Sequence, residues 1–328
     1  MTFSTQDHWR HYADFLRWEM AFGGPSTQLT TTREMIVGLP EEEQLWRVFC
    51  YLGVYNVPYG EVLWVNVPRD ASAAFTEQWL HAAFASGRLI TRIERRTVRR
   101  PEWLAEYLTG VRGFITEWPT FRNDLGSAAT PEAGYECAWD RVVELPRVGR
   151  YLTIRTLEML RRMGIPIRTP DIRPRDAWSP RGTLRMLFPD IEIGEDNSEE
   201  TITTVNRTAT TVLDRLATVG IDIDYYQLQV TLCEYRQSWK NRKQYPGRSL
   251  DSELGYARRA EEHYGHVSEI WEARRRLFPP RCLGEVQGWD GPRKPAGQVL
   301  SNHGYTWSDL VYDYSNTTDF AVPVRWAT

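Results

Sequence analysis

The sequence predicts a mainly α, bilobal fold with a loop-rich C-terminal region, on three observations. Apolar residues recur at helical spacing through most of residues 1–278, in blocks parted by short Gly- and Pro-containing turns. Residues 145–149, Leu-Pro-Arg-Val-Gly, separate two such blocks as a tight turn between helices would. The last fifty residues are rich in Gly, Pro, Tyr and Trp and carry little periodicity, so short strands or ordered loops are expected there. With 328 residues the chain is long enough for one large bilobal domain or two domains.

Residues 9–22 form the first expected helix, stopping at Gly23-Gly24-Pro25, and 41–52 the second, with Leu45, Val48, Phe49 and Leu52 on one face. A third covers 71–86 and ends at Gly87. Segments 101–110 and 111–118 follow, broken by Gly113 and Pro119. The next helix starts at Thr130, an N-cap residue with Pro131 at the first helical position and Glu132 in the first turn; Ala133, Cys137, Ala138 and Val142 make its apolar stripe. After the 145–149 turn another helix runs to Gly164-Ile165-Pro166. Helices are expected over 201–218, ending at Gly220, over 222–239, and over the long amphipathic stretch 250–278. The resulting regions are 1–125, N-terminal and helical; 126–200, centred on the turn and carrying a candidate catalytic Asp; and 201–328, helical then loop-rich.

Composition narrows the function. Aromatics are 12% and Trp numbers 14, which excludes disorder for most of the chain. No apolar run approaches a membrane span, and the first 22 residues carry charges throughout, so neither signal peptide nor anchor is expected and a cytoplasmic location is. Cys50, Cys137, Cys233 and Cys282 are scattered with no C-x-x-C pair, against a disulfide framework or structural zinc. No P-loop, G-x-S-x-G or G-x-G-x-x-G occurs, and His263 and His266 lack a third ligand nearby, so neither a metal nor another cofactor is expected.

The net charge of −3 argues against indiscriminate nucleic-acid binding, yet charge is unevenly spread. Residues 141–185 hold eleven Arg against four acids, and 190–200 hold six acids and no base. A basic segment followed by an acidic one reads as a local DNA footprint, with a salt-bridged surface as the plainer alternative. Only Lys240, Lys243 and Lys294 are lysines among 40 basic residues, a skew that reports a GC-rich genome more than function.

Leu145-Pro146-Arg147-Val148-Gly149 resembles the hairpin of the helix-hairpin-helix DNA-binding motif, whose usual form is Leu-Pro-Gly-Val-Gly. A tight turn leaves the first N–H groups of the second helix facing outward, where they and the helix dipole suit a phosphate oxygen. Gly149 permits close backbone approach, and Pro146 ends the first helix. Arg147 stands where the first glycine is usual; its guanidinium is able to grip phosphate bidentately. Arg147, Val148, Gly149 and Arg150 are therefore the candidate DNA-binding residues. In glycosylases with this motif a Gly-Ile-Pro-like turn and a catalytic aspartate follow; Gly164-Ile165-Pro166 and Asp171 stand in that order here, with Asp171 22 residues beyond Gly149, about two more than in the repair enzymes. The other reading of Asp171, which follows Pro170, is a helix N-cap. The chain lacks the four-cysteine iron–sulfur cluster of some glycosylases and the hairpin lysine of the lyase type.

Trp46-Arg47-Val48-Phe49, Leu232-Cys233-Glu234-Tyr235, Tyr245-Pro246-Gly247-Arg248 and Asp251 are similar to the bacteriophage amino acid:DNA transferases, the alpha-glutamyl/putrescinyl-thymine pyrophosphorylase family, a distant glycosylase-like helical group. That resemblance implies a DNA glycosylase-like fold and a hypermodification reaction on double-stranded DNA. A flipped 5-(pyrophosphoryloxymethyl)uracil loses pyrophosphate to an amine, supplied by an amino acid or polyamine, with no cofactor. It implies Asp171 as general base or electrostatic partner, and Arg168, Arg173 and Arg175 as ligands of the departing pyrophosphate. It also implies an infected bacterial host as the setting. Tyr245-Pro246-Gly247-Arg248 reads as a tight turn offering Tyr245 for base stacking and Arg248 for phosphate, or as a plain interhelical turn. Trp178 is a candidate wedge or pocket wall. The alternatives are a base-excision glycosylase and a non-catalytic helix-hairpin-helix DNA-binding protein.

Overall fold

The computed structural model describes residues 5–21, 24–89, 91, 100–239, 253, 260, 268–277, 310–311 and 324–325. Among these the protein is mainly helical, as expected. The chain forms two compact units that alternate along the sequence: Met1–Thr27, Thr169–Ser249 and Arg275–Thr328 make one, and Gln28–Arg168 with Leu250–Arg274 make the other. The sequence reading has three consecutive regions instead. Each unit is built from segments remote in sequence, which periodicity does not reveal.

The Gln28–Arg168 unit is organised on α3 (Glu41–Val54), whose ten residues from Leu45 to Val54 are all buried. It packs against α4 (Val57–Asn66), α6 (Pro101–Gly126) and α8 (Arg150–Arg162), while α5 (Ala73–Ala85) lies on α6 and α7 (Pro131–Val143) on α6 and α8. Tyr55 ends α3 in a left-handed conformation and Asn56 caps α4, its side chain accepting from the Tyr59 N–H at 3.1 Å. The two helices meet closely: a Cβ on Gly60 would lie 2.7 Å from the Tyr51 Cα. Within α3 the Arg47 side chain is buried. It donates to both Glu61 carboxylate oxygens at 2.8 and 2.6 Å and to the Met35 carbonyl at 2.6 Å, and lies 4.3 Å from the Trp64 ring centroid. The Trp46–Phe49 tetrapeptide is thus core.

The other unit gathers α1 (Thr5–Ala21), α9 (Trp178–Leu187), α10 (Glu199–Ala217) and α11 (Tyr225–Trp239). Its interior is aromatic. Tyr235 stands edge-on to Tyr12 and Phe15 at 5.2 and 5.7 Å, the Trp9 indole N–H donates to the Leu187 carbonyl at 3.1 Å, and Tyr12 and Thr231 share a 3.0 Å hydroxyl bond. Leu232 and Tyr235 are fully buried, so this second stretch of the family resemblance is also packing. Outside these helices, α2 is Thr27–Ile36, α12 is Ser268–Leu277, and Leu310–Val311 pairs antiparallel with Val324–Arg325.

Several expectations change. One 26-residue α6 runs through both Gly113 and Pro119. Its buried Leu104, Tyr107, Leu108, Val111, Phe114, Ile115, Trp118 and Leu125 keep one apolar stripe, and Pro119 lies on the exposed side, so packing overrides the breakers. Helices α2, α4 and α9 were not expected: α2 carries three consecutive β-branched threonines, and α4 is too evenly apolar to show a face. Helix α10 begins two residues before 201, at a Ser198 N-cap, and α11 begins at Tyr225, after an Asp224–Gln227 reciprocal cap, rather than at 222. Of the 250–278 helix, α12 is described; Tyr245, Arg248, Asp251, His263 and His266 lie outside the described residues.

Two measurements check this packing. Gly60→Ala forces its Cβ into the Tyr51 backbone and should cost about 1–3 kcal/mol. Exposed Gly113, with open space around it inside α6, should gain about 0.5–1 kcal/mol on substitution by Ala. Thermal midpoints shifting in opposite directions are the expected result; a neutral Gly60→Ala would mean that the α3–α4 contact is looser than described.

A second prediction concerns acid. Burial of His11, with a smaller push from His8, lowers its pKa from 6.5 to about 4. The unfolded chain then binds the proton more readily, so stability from this group is complete above pH 6.5 and declines as pH falls towards 4, by at most about 1.4 kcal/mol per pH unit. Denaturant titrations of the wild type and His11→Phe between pH 7 and 4 should show the slope reduced in the variant; equal slopes would remove His11 as its source.

Candidate nucleic-acid interface

The hairpin forms where the sequence places it. Thr130 caps α7, its hydroxyl accepting from the Ala133 N–H at 3.1 Å, with Pro131 and Glu132 in the first turn. Helix α7 ends at Val143, the Val148 N–H donates to the Leu145 carbonyl at 3.1 Å, and α8 begins with Gly149 as N-cap, supplying no side-chain cap. At its far end Gly164, with φ +94°, closes α8: the Ile165 N–H reaches back to the Leu160 carbonyl at 3.1 Å, a Schellman arrangement. Pro146 does more than end a helix. It seats the turn on α6, where a Cβ on Gly110 would lie 2.4 Å from the Pro146 Cδ.

Arg147 has φ +65°, so the residue occupying the usual glycine position adopts the left-handed backbone that glycine favours. Its guanidinium donates to Glu106 at 2.7 Å and stacks 5.0 Å from the Trp103 ring centroid, both on α6. A phosphate contact through Arg147 therefore has to displace or extend that pair. The Val148 side chain is buried, as suits an apolar residue just before a helix cap, so any contact it offers is through its backbone. Gly149 adopts ordinary extended backbone with nothing within 4 Å of a would-be Cβ, so its value lies in the open approach to α8. Arg150 is half-buried at the first position of α8. Beneath it the Tyr151 and Tyr55 hydroxyls bond to each other, and Arg155 donates to Tyr151 at 3.2 Å.

Asp171 lies in the other unit, within the loop that leads to α9. No helix begins there, so it is not an N-cap. Its Oδ1 accepts from the Arg173 N–H at 2.7 Å, an Asx turn, and its Oδ2 from the Asn206 side chain of α10 at 3.0 Å. The Arg173 guanidinium stands 3.7 Å away and the carboxylate side chain keeps 29% exposure, enough to meet a ligand. Arg173 and Asp176 have φ of +48° and +55°, two non-glycine residues in left-handed backbone within one loop.

The arginines expected around Asp171 each meet a carboxylate. Arg173 meets Asp171 itself. Arg175 pairs with Glu199 at 2.6 Å, and Arg168, in the hairpin's unit, pairs with Glu132 at 2.5 Å. Tyr245 and Arg248 lie outside the described residues. Sequence reasoning missed Asn206, Trp103 and Glu106; an Asn in the middle of a helix was the one visible signal.

The basic footprint also needs correction. Of the eleven arginines between 141 and 185, at least eight lie within 4 Å of a carboxylate among the described residues: Arg141 with Glu117 and Glu144, Arg147 with Glu106, Arg161 and Arg162 with Glu158, Arg168 with Glu132, Arg173 with Asp171, Arg175 with Glu199 and Arg185 with Glu195. Most of those acids lie outside the window that made the segment look basic. Among the described residues no group of His, Cys, Asp or Glu is arranged to hold a metal, and no helix is long and apolar enough to cross a membrane. No protein-family model matches the chain, and no curated protein is significantly similar to it.

The turn geometry is testable at Arg147. Arg147→Gly relieves left-handed strain of about 1–2 kcal/mol while losing the Glu106 and Trp103 contacts, so the thermal midpoint should stay level or rise. Arg147→Val places a β-branched residue at positive φ and should lower it. A Gly variant as unstable as the Val variant would mean that the turn depends on the arginine side chain.

Proposed function

We propose that the protein binds duplex DNA through the 146–150 hairpin and modifies a base flipped out of that DNA. By the family resemblance, the base is a 5-(pyrophosphoryloxymethyl)uracil and the co-substrate an amine. The observation carrying this reading is the hairpin: Leu-Pro-x-Val-Gly folds into a left-handed turn that delivers the chain straight into the glycine-capped N-terminus of α8. Such an end attracts phosphate oxygens through its N–H groups and dipole.

In the reaction the amine nitrogen attacks the 5-methylene carbon, the C–O bond breaks and pyrophosphate leaves with the electron pair. The nitrogen then sheds a proton. Asp171 is the carboxylate placed to take that proton or to balance the developing cationic charge, since Arg173 and Asn206 fix its orientation. Arg173, beside it, is the arginine positioned for the leaving pyrophosphate.

The direct test is mass spectrometry of nucleosides from DNA bearing the pyrophosphorylated base, incubated with the protein and mixed amines. An aminated thymidine is the expected product; abasic sites would instead indicate a glycosylase. Asp171→Asn preserves the shape of the Asx turn, so it should leave the midpoint nearly unchanged and cut turnover by about 10²–10⁴. A second reading, a non-catalytic DNA-binding protein, draws on the Asx turn itself, since a carboxylate that only braces a loop would occupy the same place. Under that reading Asp171→Asn leaves the midpoint nearly unchanged, Asp171→Ala lowers it, and the wild type yields no product from any DNA. For the hairpin, Arg147→Ala with Arg150→Ala should weaken duplex binding irrespective of sequence and flatten its salt dependence. Unchanged affinity at moderate salt would place DNA elsewhere.

A further inference from the structure

Trp178 opens α9, is 50% exposed, and stands seven residues beyond Asp171, at the end of the loop that carries it. Leaving half an indole in water is unfavourable, and the surroundings hold it there rather than letting it fold away. Arg181 lies 5.3 Å from the indole centroid and is itself fully buried. Its guanidinium cannot move aside: it donates to the Pro174 carbonyl at 2.9 Å, to the Asn197 side-chain oxygen at 2.9 Å and to the Asp196 carbonyl at 2.5 Å. The backbone is fixed too, because Arg236 donates to the Trp178 carbonyl at 2.8 Å. That arginine packs so tightly on α9 that a Cβ on Gly182 would lie 1.9 Å from its Nη1.

An aromatic ring backed by a locked guanidinium and left open to solvent loses little freedom when a second flat ring is laid on it. The loop before Trp178 carries Asp171 and two residues in left-handed backbone, Arg173 and Asp176, the setting in which a reacting group is held in place.

From this we infer that Trp178 is the stacking platform for the nucleobase swung out of the duplex. The inference rests on the DNA-modifying reading above and adds to it the residue that receives the base. Stacking recognises a π-face rather than a hydrogen-bond pattern, so this platform would take a pyrimidine with a bulky 5-substituent as readily as a plain one.

The test compares binding of two oligonucleotide duplexes, one fully paired and one with a single unpaired thymine. Wild-type protein should prefer the bulged duplex by about tenfold. Trp178→Ala should lose that preference while keeping its affinity for paired DNA, and Trp178→Phe should restore most of it. The hairpin double variant Arg147→Ala, Arg150→Ala should weaken both duplexes alike. With 2-aminopurine as the unpaired base, wild-type protein should keep its emission quenched by stacking. Bright emission on binding, equal affinity of the wild type for both duplexes, or an unaltered preference in Trp178→Ala would overturn the assignment and leave hairpin binding intact. Failure to bind either duplex would overturn both.

Discussion

The buried guanidinium of Arg47 is the constraint on which the larger helical unit depends. It holds α3, α4 and the end of α2 together, and through Glu269 it reaches α12 as well. Burial works against its charge, the Glu61 hydrogen bonds and field work for it, and the balance leaves the group held above its usual pKa. A charge placed in such a core has one acceptable geometry, because breaking a buried pair leaves an ion uncompensated at a cost of about 3–5 kcal/mol. Apolar packing alone would tolerate small shifts of α4 along α3; four donor–acceptor pairings at one side chain do not. The unit that carries the hairpin is thereby held in register.

Charge pairing works differently at the surface. The arginines of 141–185 mostly meet glutamates from α6, α7 and the 190–200 segment, the last of which the sequence shows as a separate acidic block. Arg185 and Arg181 also donate to carbonyls of that segment. These exposed pairs contribute little stability each, and they leave the field around the hairpin weaker than its arginine count suggests. Under the proposed function, DNA binding on such a surface draws on shaped contacts, the turn and the helix end, more than on bulk positive potential. That agrees with the net charge of −3.

Much of this was legible in the sequence because its signals are local. The Thr130–Pro131–Glu132 start, the Pro146–Gly149 turn and the Gly164 stop each depend on one residue's backbone preference, and each stands where expected. What could not be read depends on partners far along the chain. Helix α6 survives Pro119 because eight side chains bury along it, and α2 forms despite three threonines because its surroundings bury them. The tether between Asn206 and Asp171 spans 35 residues, and the guanidinium under Trp178 becomes meaningful only once Asp196 and Asn197 are placed around it. The burial of Val148 was likewise hidden, because the turn's packing partners are set by the tertiary fold.

The alternation of the two units along the chain bears on synthesis. Helix α1 has its partners in α9 and α11, so Trp9, Tyr12, Phe15 and Leu16 leave the ribosome well over a hundred residues before anything can cover them. At roughly 5–20 residues per second, that leaves an apolar helix face bare for about ten seconds or more. Meanwhile the segment 28–168 can collapse around α3, though Glu269 is still to come. Helix α1 is made before α2 to α8 and meets its partners only after them, so it is the element a chaperone would have most reason to hold.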